Sequence, residues 1–348
     1  MEPEANKNFI APSVVCIGGG TGLSTMLRGL KLYTSAITAV VTVADDGGGS
    51  GILRSELGML PPGDIRNCIL ALSNIEPTME KLLAYRFNTG SLKGQSFGNL
   101  FLAAMNGICP SFDEAVRRMC DVLAITGRVL PVTNEDVRLA AEFEDGSTVL
   151  GECHISAAKK LCGCRIKRVS LIPEKPKAHP ECITAIESAD MILFGPGSLY
   201  TSVIPNLLVD GISDAVQRSN AVKIFIGNVM TQIGETEDYS LSDHIKELFI
   251  HAGAKLFDIV LANNMPMPDK LLKKYEEERA CQIFADREEI GKLGVKLYEA
   301  PVCTRETELV RHNTRLLARE IFRIYREVST IGIGEISPGK EPISAGEV

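Results

Sequence analysis

The chain is short of positive charge. Its 37 Lys and Arg stand against 44 Asp and Glu, for a net charge of −7 and a pI near 5.5. That balance excludes a protein that coats nucleic acid, which needs a basic surface; mild acidity serves solubility. No apolar run reaches the ~18 residues that a membrane span needs. The start, MEPEANKNF, has neither the basic n-region nor the apolar h-region of a signal peptide. Ten cysteines are present but no CxxC, and the one close pair, Cys162 and Cys164, has no second pair or histidine at metal-ligand spacing. The expectation is a soluble cytoplasmic protein whose thiols are reduced and buried. There is no internal repeat.

What is present begins at residues 14–46, VVCIGGGTGLSTMLRGLKLYTSAITAVVTVADD. An apolar strand (14–17), a glycine turn (18–22), a helix from about Leu23 and a second apolar strand (37–43) make a right-handed βαβ unit. The turn offers backbone N–H groups at a helix N-terminus, where the dipole favours an anion. The run Gly47 to Gly51 then predicts a flexible loop. Helices are expected over 65–73, 78–87, 99–105 and 112–123. Residues 128–175 read as a β-rich excursion with a hairpin turn at Asp145–Gly146. Further on, MILF, VKIFI and FDIVLA are buried strands, with helices over HPECITAIESAD, over LSDHIKELFIHAG and over 308–325.

Apolar strands separated by helices indicate an α/β fold, a doubly wound and mainly parallel Rossmann-like sheet. At 348 residues the expected organisation is one large domain over 13–330. Its core is 13–50 and 177–330, a helical and β-hairpin subdomain (51–176) is inserted, and a flexible tail covers 331–348.

In such sheets ligands lie beyond the C-terminal strand ends. Those ends carry GGGTG, Asp45–Asp46, GPGSLYTS from Gly195, then Asn228 and Asn263–Asn264. GGGTGLS lacks the Walker A lysine and misses the GxGxxG register at Leu23, which disfavours a P-loop ATPase and a dehydrogenase. Two glycine turns, the second rich in hydroxyls, point to a diphosphate. Asp45 and Asp46 suit either a ribose hydroxyl or Mg²⁺. In PPGDIRN, Arg66 beside Asp64 and Asn67 is placed to neutralise phosphate. No acid/base constellation stands out; His154, His179, His244 and His251 fall on elements away from the rim.

Taken in order, GGGTGLS, VTVADDGG, LGMLPPGDIRNC, GPGSLYTSVIPNLL, NVMTQIGETEDYS and RHN resemble the YvcK-like gluconeogenesis factor family, within the CofD-like (2-phospho-lactate transferase) superfamily. The resemblance spans 13–319. Two loops depart from it: DDGGSSGRLR is here DDGGGSGILR, and GHSxGN is Gly94–Gln95–Ser96–Phe97–Gly98–Asn99.

The resemblance implies a cytoplasmic bacterial protein needed for cell shape and wall synthesis during gluconeogenic growth. It would bind UDP-N-acetylglucosamine or a dinucleotide as a regulator, act on a wall-synthesis protein and form a homo-oligomer. Carried over, Gly19, Gly20, Thr21, Gly22, Gly197 and Ser198 hold the diphosphate. Asp45, Asp46 and Asn228 meet ribose, metal or sugar, and Arg311 contacts phosphate or sugar. The transferase branch implies the alternative: a Mg²⁺-dependent enzyme moving a phospho-group from a nucleoside diphosphate-linked donor, with Asp45 and Asp46 as catalytic candidates and Asp46 on the metal.

Overall fold

A computed structural model describes residues 11–277, 279–304 and 309–334. Ten strands follow in chain order: β1 (Val14–Gly18), β2 (Ile37–Val41), β3 (Arg128–Pro131), β4 (Arg138–Phe143), β5 (Thr148–Leu150), β6 (Ile166–Ile172), β7 (Met191–Phe194), β8 (Val222–Ile226), β9 (Ile259–Asn263) and β10 (Lys296–Ala300). Seven of them form one sheet in the order β10-β9-β8-β7-β1-β2-β3. Every pairing in it is parallel. The inner strands are largely apolar because helices cover both faces: β1, β2, β7 and β9 are buried throughout. Val14 pairs with Ile37 on one side and Met191 on the other. The chain therefore winds outward from β1 in one direction and from β7 in the other, as a doubly wound fold requires.

The helix Gly20–Leu30 packs against the last helix, Thr314–Gly334. Gly29 makes this close approach feasible, since a Cβ there would run into the Thr314 carbonyl, and Tyr33 stacks on Phe322 at 4.7 Å. Helices Gly63–Leu72, Pro77–Ala84, Phe97–Ile108 and Phe112–Val122 lie near their expected places. The antiparallel sheet β5-β4-β6 contains the predicted hairpin, with Gly146 N–H donating to the Phe143 carbonyl at 3.0 Å. It is tied to the core where Val169 N–H donates to His251 Nε2 at 3.1 Å.

Several expectations are corrected. The glycine run is not a loop: the helix Gly48–Leu57 passes through it. Glycine is there for closeness, because a Cβ on Gly51 would strike the Asp46 carbonyl. β3, expected in the β-rich excursion, instead extends the main sheet beside β2. The helix Glu152–Cys162 and strand β10 were not foreseen. The last helix starts at Thr314, and residues 331–334, expected in the tail, continue it; Glu308, residues 335–348 and the N-terminal MEPEANKNF lie outside the described residues. Cys16, Cys68, Cys120, Cys182 and Cys303 are buried free thiols, but Cys153 and Cys281 are exposed. Among the described residues no helix is long and apolar enough to cross a membrane.

Candidate functional site

β1 and β7 are neighbours at the point where the strand order reverses, and each runs into a glycine turn. Such a crevice is where open α/β sheets bind ligands. Gly19 is extended, and Gly20, with φ +68°, opens the helix in the left-handed region that suits glycine. The second turn, from Gly195, leads into one π-helical turn, Leu199–Val203, and a short helix, Ile204–Leu207. The two turns touch. A Cβ on Gly22 would lie 2.5 Å from the Pro196 oxygen, and one on Gly197 would lie 3.2 Å from the Gly19 oxygen. Asn206, fully buried, ties them together: its Nδ2 donates to the Gly18 carbonyl at 3.1 Å and the Ser202 carbonyl at 2.8 Å.

Over this junction opens a cleft of about 350 Å³ that brings together Gly20, Thr21, Gly22, Gly197, Ser198, Asn228 and Arg311. Ser198 Oγ donates to Gln232 Oε1 at 2.7 Å, and Gln232 Nε2 donates to Glu235 Oε1 at 3.0 Å. Glu235 also accepts from Thr201 Oγ1 at 3.0 Å and from Tyr200 N–H at 3.2 Å. Only 1% exposed, its carboxyl is pushed up to about 7 by burial, against the pull of those hydrogen bonds. Asn228 lines the cleft, and its amide binds the second turn. Both ends grip Gly197, Oδ1 accepting from its N–H at 3.3 Å and Nδ2 donating to its carbonyl at 2.8 Å. Arg311 is exposed at the cleft. A larger recess of about 1090 Å³ between Lys159, Arg165, Glu237, Glu276 and Arg279 mixes both charge signs and holds neither turn.

The remaining predicted residues lie behind the first turn. A Cβ on Gly19 would meet Asp64 Oδ2 at 2.5 Å and Thr42 Cγ2 at 2.9 Å. Asp64 accepts a hydrogen bond from Gly20 N–H, so the amide expected to serve a phosphate already holds an internal anion. Burial, then the neighbouring Asp45, push Asp64 up to about 6. Glu152 completes an acidic cluster: burial first, then Asp45 and Asp64, hold its carboxyl far above its ordinary range. Asp46 sits apart from that cluster, its Oδ1 accepting from Cys153 N–H at 3.0 Å and so capping the helix Glu152–Cys162. His154, expected away from the rim, is on the first turn of that same helix. Buried Arg66 donates to Ser96 Oγ at 3.0 Å and to Asn67 Oδ1 at 2.6 Å, which engages the pair with the start of helix Phe97–Ile108.

Sequence reasoning missed Glu152, Asn206, Glu235 and His312 as site residues. Asp64 was within reach, since it shares PPGDIRN with Arg66, and Asn206, Glu235 and His312 lie inside GPGSLYTSVIPNLL, NVMTQIGETEDYS and RHN; Glu152 is a single polar residue without a local pattern.

A seven-stranded doubly wound sheet with paired glycine turns and an acidic cluster at its switch point defines a class, and the comparisons agree with it. The family of 2-phospho-L-lactate transferase CofD matches residues 14–303, and the chain belongs to that family. It is 47% identical to the gluconeogenesis factor of Bacillus subtilis (strain 168) over 317 residues, covering 91% of this chain and 99% of that protein. It is 46% identical to the gluconeogenesis factor of Halalkalibacterium halodurans over 311 residues, 89% of this chain and 95% of that one. A crystal structure of a UPF0052-family protein from Bacillus halodurans, at 2.60 Å resolution, superposes with a TM-score of 0.86 at 44% identity, covering 90% of this chain and all of that one.

Proposed function

We propose that this chain is a cytoplasmic regulatory protein of gluconeogenic growth that binds a nucleotide sugar resembling UDP-N-acetylglucosamine and signals to a wall-synthesis partner. The observation that carries the reading is the contact between the two glycine turns, over which one cleft gathers Gly20–Gly22, Gly197, Ser198 and Arg311. Thr21 and Gly22 amides and the Arg311 guanidinium suit a diphosphate. The relatives named gluconeogenesis factors support the physiological side. Calorimetric titration with UDP-N-acetylglucosamine tests it: saturable binding that Arg311→Ala weakens is expected, and no heat of binding overturns it.

A second reading, Mg²⁺-dependent transfer of a phospho-group, is favoured by the acidic cluster and by the family's name. No group of three or more His, Cys, Asp or Glu among the described residues is arranged to hold a metal unaided. Mg²⁺, however, takes one or two carboxylates and completes its shell with water and phosphate. Asp45 and Asp64 fit that demand, their mutual repulsion marking where a cation is welcome. The ion would neutralise phosphate charge. Phosphorus NMR of UDP-sugar donors with Mg²⁺ and protein decides: unchanged donor over many hours favours the regulator.

A further inference from the structure

The RHN sequence near the end of the chain places three neighbouring residues in three different roles. Arg311 is exposed at the cleft. Asn313 caps the last helix, its Oδ1 accepting from the N–H groups of Arg315 at 3.1 Å and Leu316 at 3.0 Å. Between them His312 also lines the cleft, yet is only 8% exposed. Its backbone is fixed on both sides, by an antiparallel bridge to Cys303 and by Asn313 N–H donating to the Val302 carbonyl at 2.7 Å. The Gly227 backbone, just past β8, faces the ring and favours its protonated form, as a carbonyl acceptor does. Nε2 is buried and has no hydrogen-bond partner among the described residues.

A buried polar atom without a partner destabilises a fold unless something supplies the missing bond, so a conspicuous one beside a cleft calls for an explanation. Charge decides what that something is. Burial pushes the imidazole down to about 4, so it is neutral at physiological pH and cannot balance a phosphate. A neutral imidazole has one N–H. With that proton donated to the Gly227 carbonyl, Nε2 presents a lone pair. It repels phosphate oxygens and accepts from O–H or N–H.

We propose that His312 is a specificity-determining residue of the cleft, whose Nε2 accepts a hydrogen bond from a hydroxyl or N–H on the non-phosphate part of the bound nucleotide. Arg311 and His312 then divide the ligand between them, the cation for phosphate and the neutral acceptor for a donor group beside it. This rests on the reading of the cleft as a nucleotide site.

The test compares wild type, His312→Leu and His312→Gln by calorimetry with three probes: UDP-N-acetylglucosamine, UDP and inorganic pyrophosphate. His312→Leu is expected to weaken UDP-N-acetylglucosamine about ten-fold, with pyrophosphate unaffected. His312→Gln, which keeps an acceptor, is expected to recover much of the loss. An equal loss for UDP assigns the donor to the nucleoside; a loss confined to UDP-N-acetylglucosamine assigns it to the sugar. Wild-type binding with the same affinity in His312→Leu overturns the role of His312 alone, as does an equal loss for pyrophosphate. Wild type that binds neither nucleotide overturns both this role and the function it rests on. Nitrogen NMR of the imidazoles needs no variant: nucleotide should move the Nε2 resonance of His312 toward a hydrogen-bonded lone pair, and an unmoved resonance overturns the proposal.

Discussion

At the scale of single residues, the glycines of the first turn are not interchangeable. Gly20 needs its left-handed backbone, while a Cβ there would meet Ser202 Oγ at an ordinary 3.4 Å. Gly20→Ala is therefore expected to cost about 1–2 kcal/mol through strain alone. The Cβ of Gly22→Ala lands 2.5 Å from the Pro196 oxygen and 2.8 Å from its carbonyl carbon, both backbone atoms that cannot rotate away. It must push the two turns apart, at about 1–3 kcal/mol, and should abolish saturable UDP-N-acetylglucosamine binding by widening the clamp. Urea melts and calorimetry on the pair check this. A Gly22→Ala protein that binds normally would show that contact between the turns is not what shapes the site. Asp46 gives a second contrast. As the cap of Cys153 N–H, Asp46→Ala should lose about 0.5–2 kcal/mol, whereas Asp46→Asn keeps an acceptor and should lose little. If Asp46 instead held a cation, the asparagine variant would lose Mg²⁺-dependent stabilisation as fully as the alanine one.

At the scale of elements, legibility followed burial. β1, β2, β7, β8 and β9 are runs of mostly buried apolar residues, and such runs declare themselves in sequence. β10 is only partly buried, with Lys296 exposed, Leu297 and Glu299 half-buried and only Tyr298 and Ala300 buried, as befits an edge strand; its pattern is too short and polar to be separated from a loop. β3 was seen as a strand but given to the wrong sheet, because four residues ending in Pro131 carry no information about their partner. The helix Gly48–Leu57 was hidden by composition: glycine weakens a helix intrinsically, and only the tertiary contacts of Gly51 with Asp46 and of Gly49 with Gln95 explain its choice. The same limit governs the site. Residues directly after strands were legible, whereas Glu152 arrives from the helix Glu152–Cys162 and Glu235, though inside NVMTQIGETEDYS, lies well past β8; packing decides the approach of both. That helix joins the two parts of the site: its start is capped by Asp46, and Lys159 further along donates to the Glu235 carbonyl at 3.2 Å. A Cβ on Gly234 would meet the Ser156 backbone at 2.7 Å. Gly234→Ala should therefore displace the helix, lowering the urea midpoint and weakening nucleotide binding together. Loss of stability with unchanged affinity would show that the helix only supports the fold.

At the scale of the whole molecule, two sets of buried ionisable groups oppose each other across the pH range. His244, His251 and His312 are held below their ordinary value, by burial first in each case. Each binds its proton more weakly in the folded protein, so each lowers stability as pH falls through about 6.5, the unfolded value. Asp64, Glu235 and Glu152 are raised, the first two to about 6 and about 7. Each binds its proton more tightly when folded. The stability they contribute is complete below the unfolded carboxylate range and is lost as pH rises through the folded values. Between about pH 4.5 and 6.5 the two sets work against each other and stability should be nearly flat. Above 6.5 the histidines are neutral in both states and the carboxyls act, joined above about pH 8 by the buried thiols of Cys16, Cys68, Cys120, Cys182 and Cys303, which burial also holds above their ordinary value; stability should decline. Glu235 completes its share just above neutrality; Glu152 carries the decline further. Urea midpoints from pH 5 to 9 check this, with Glu152→Gln expected to flatten the alkaline limb and His251→Gln to reduce losses on the acid side. A wild-type midpoint that climbs steadily from pH 6.5 to 9 would mean that the acidic cluster carries its charges without penalty, and that nothing in it favours an incoming cation.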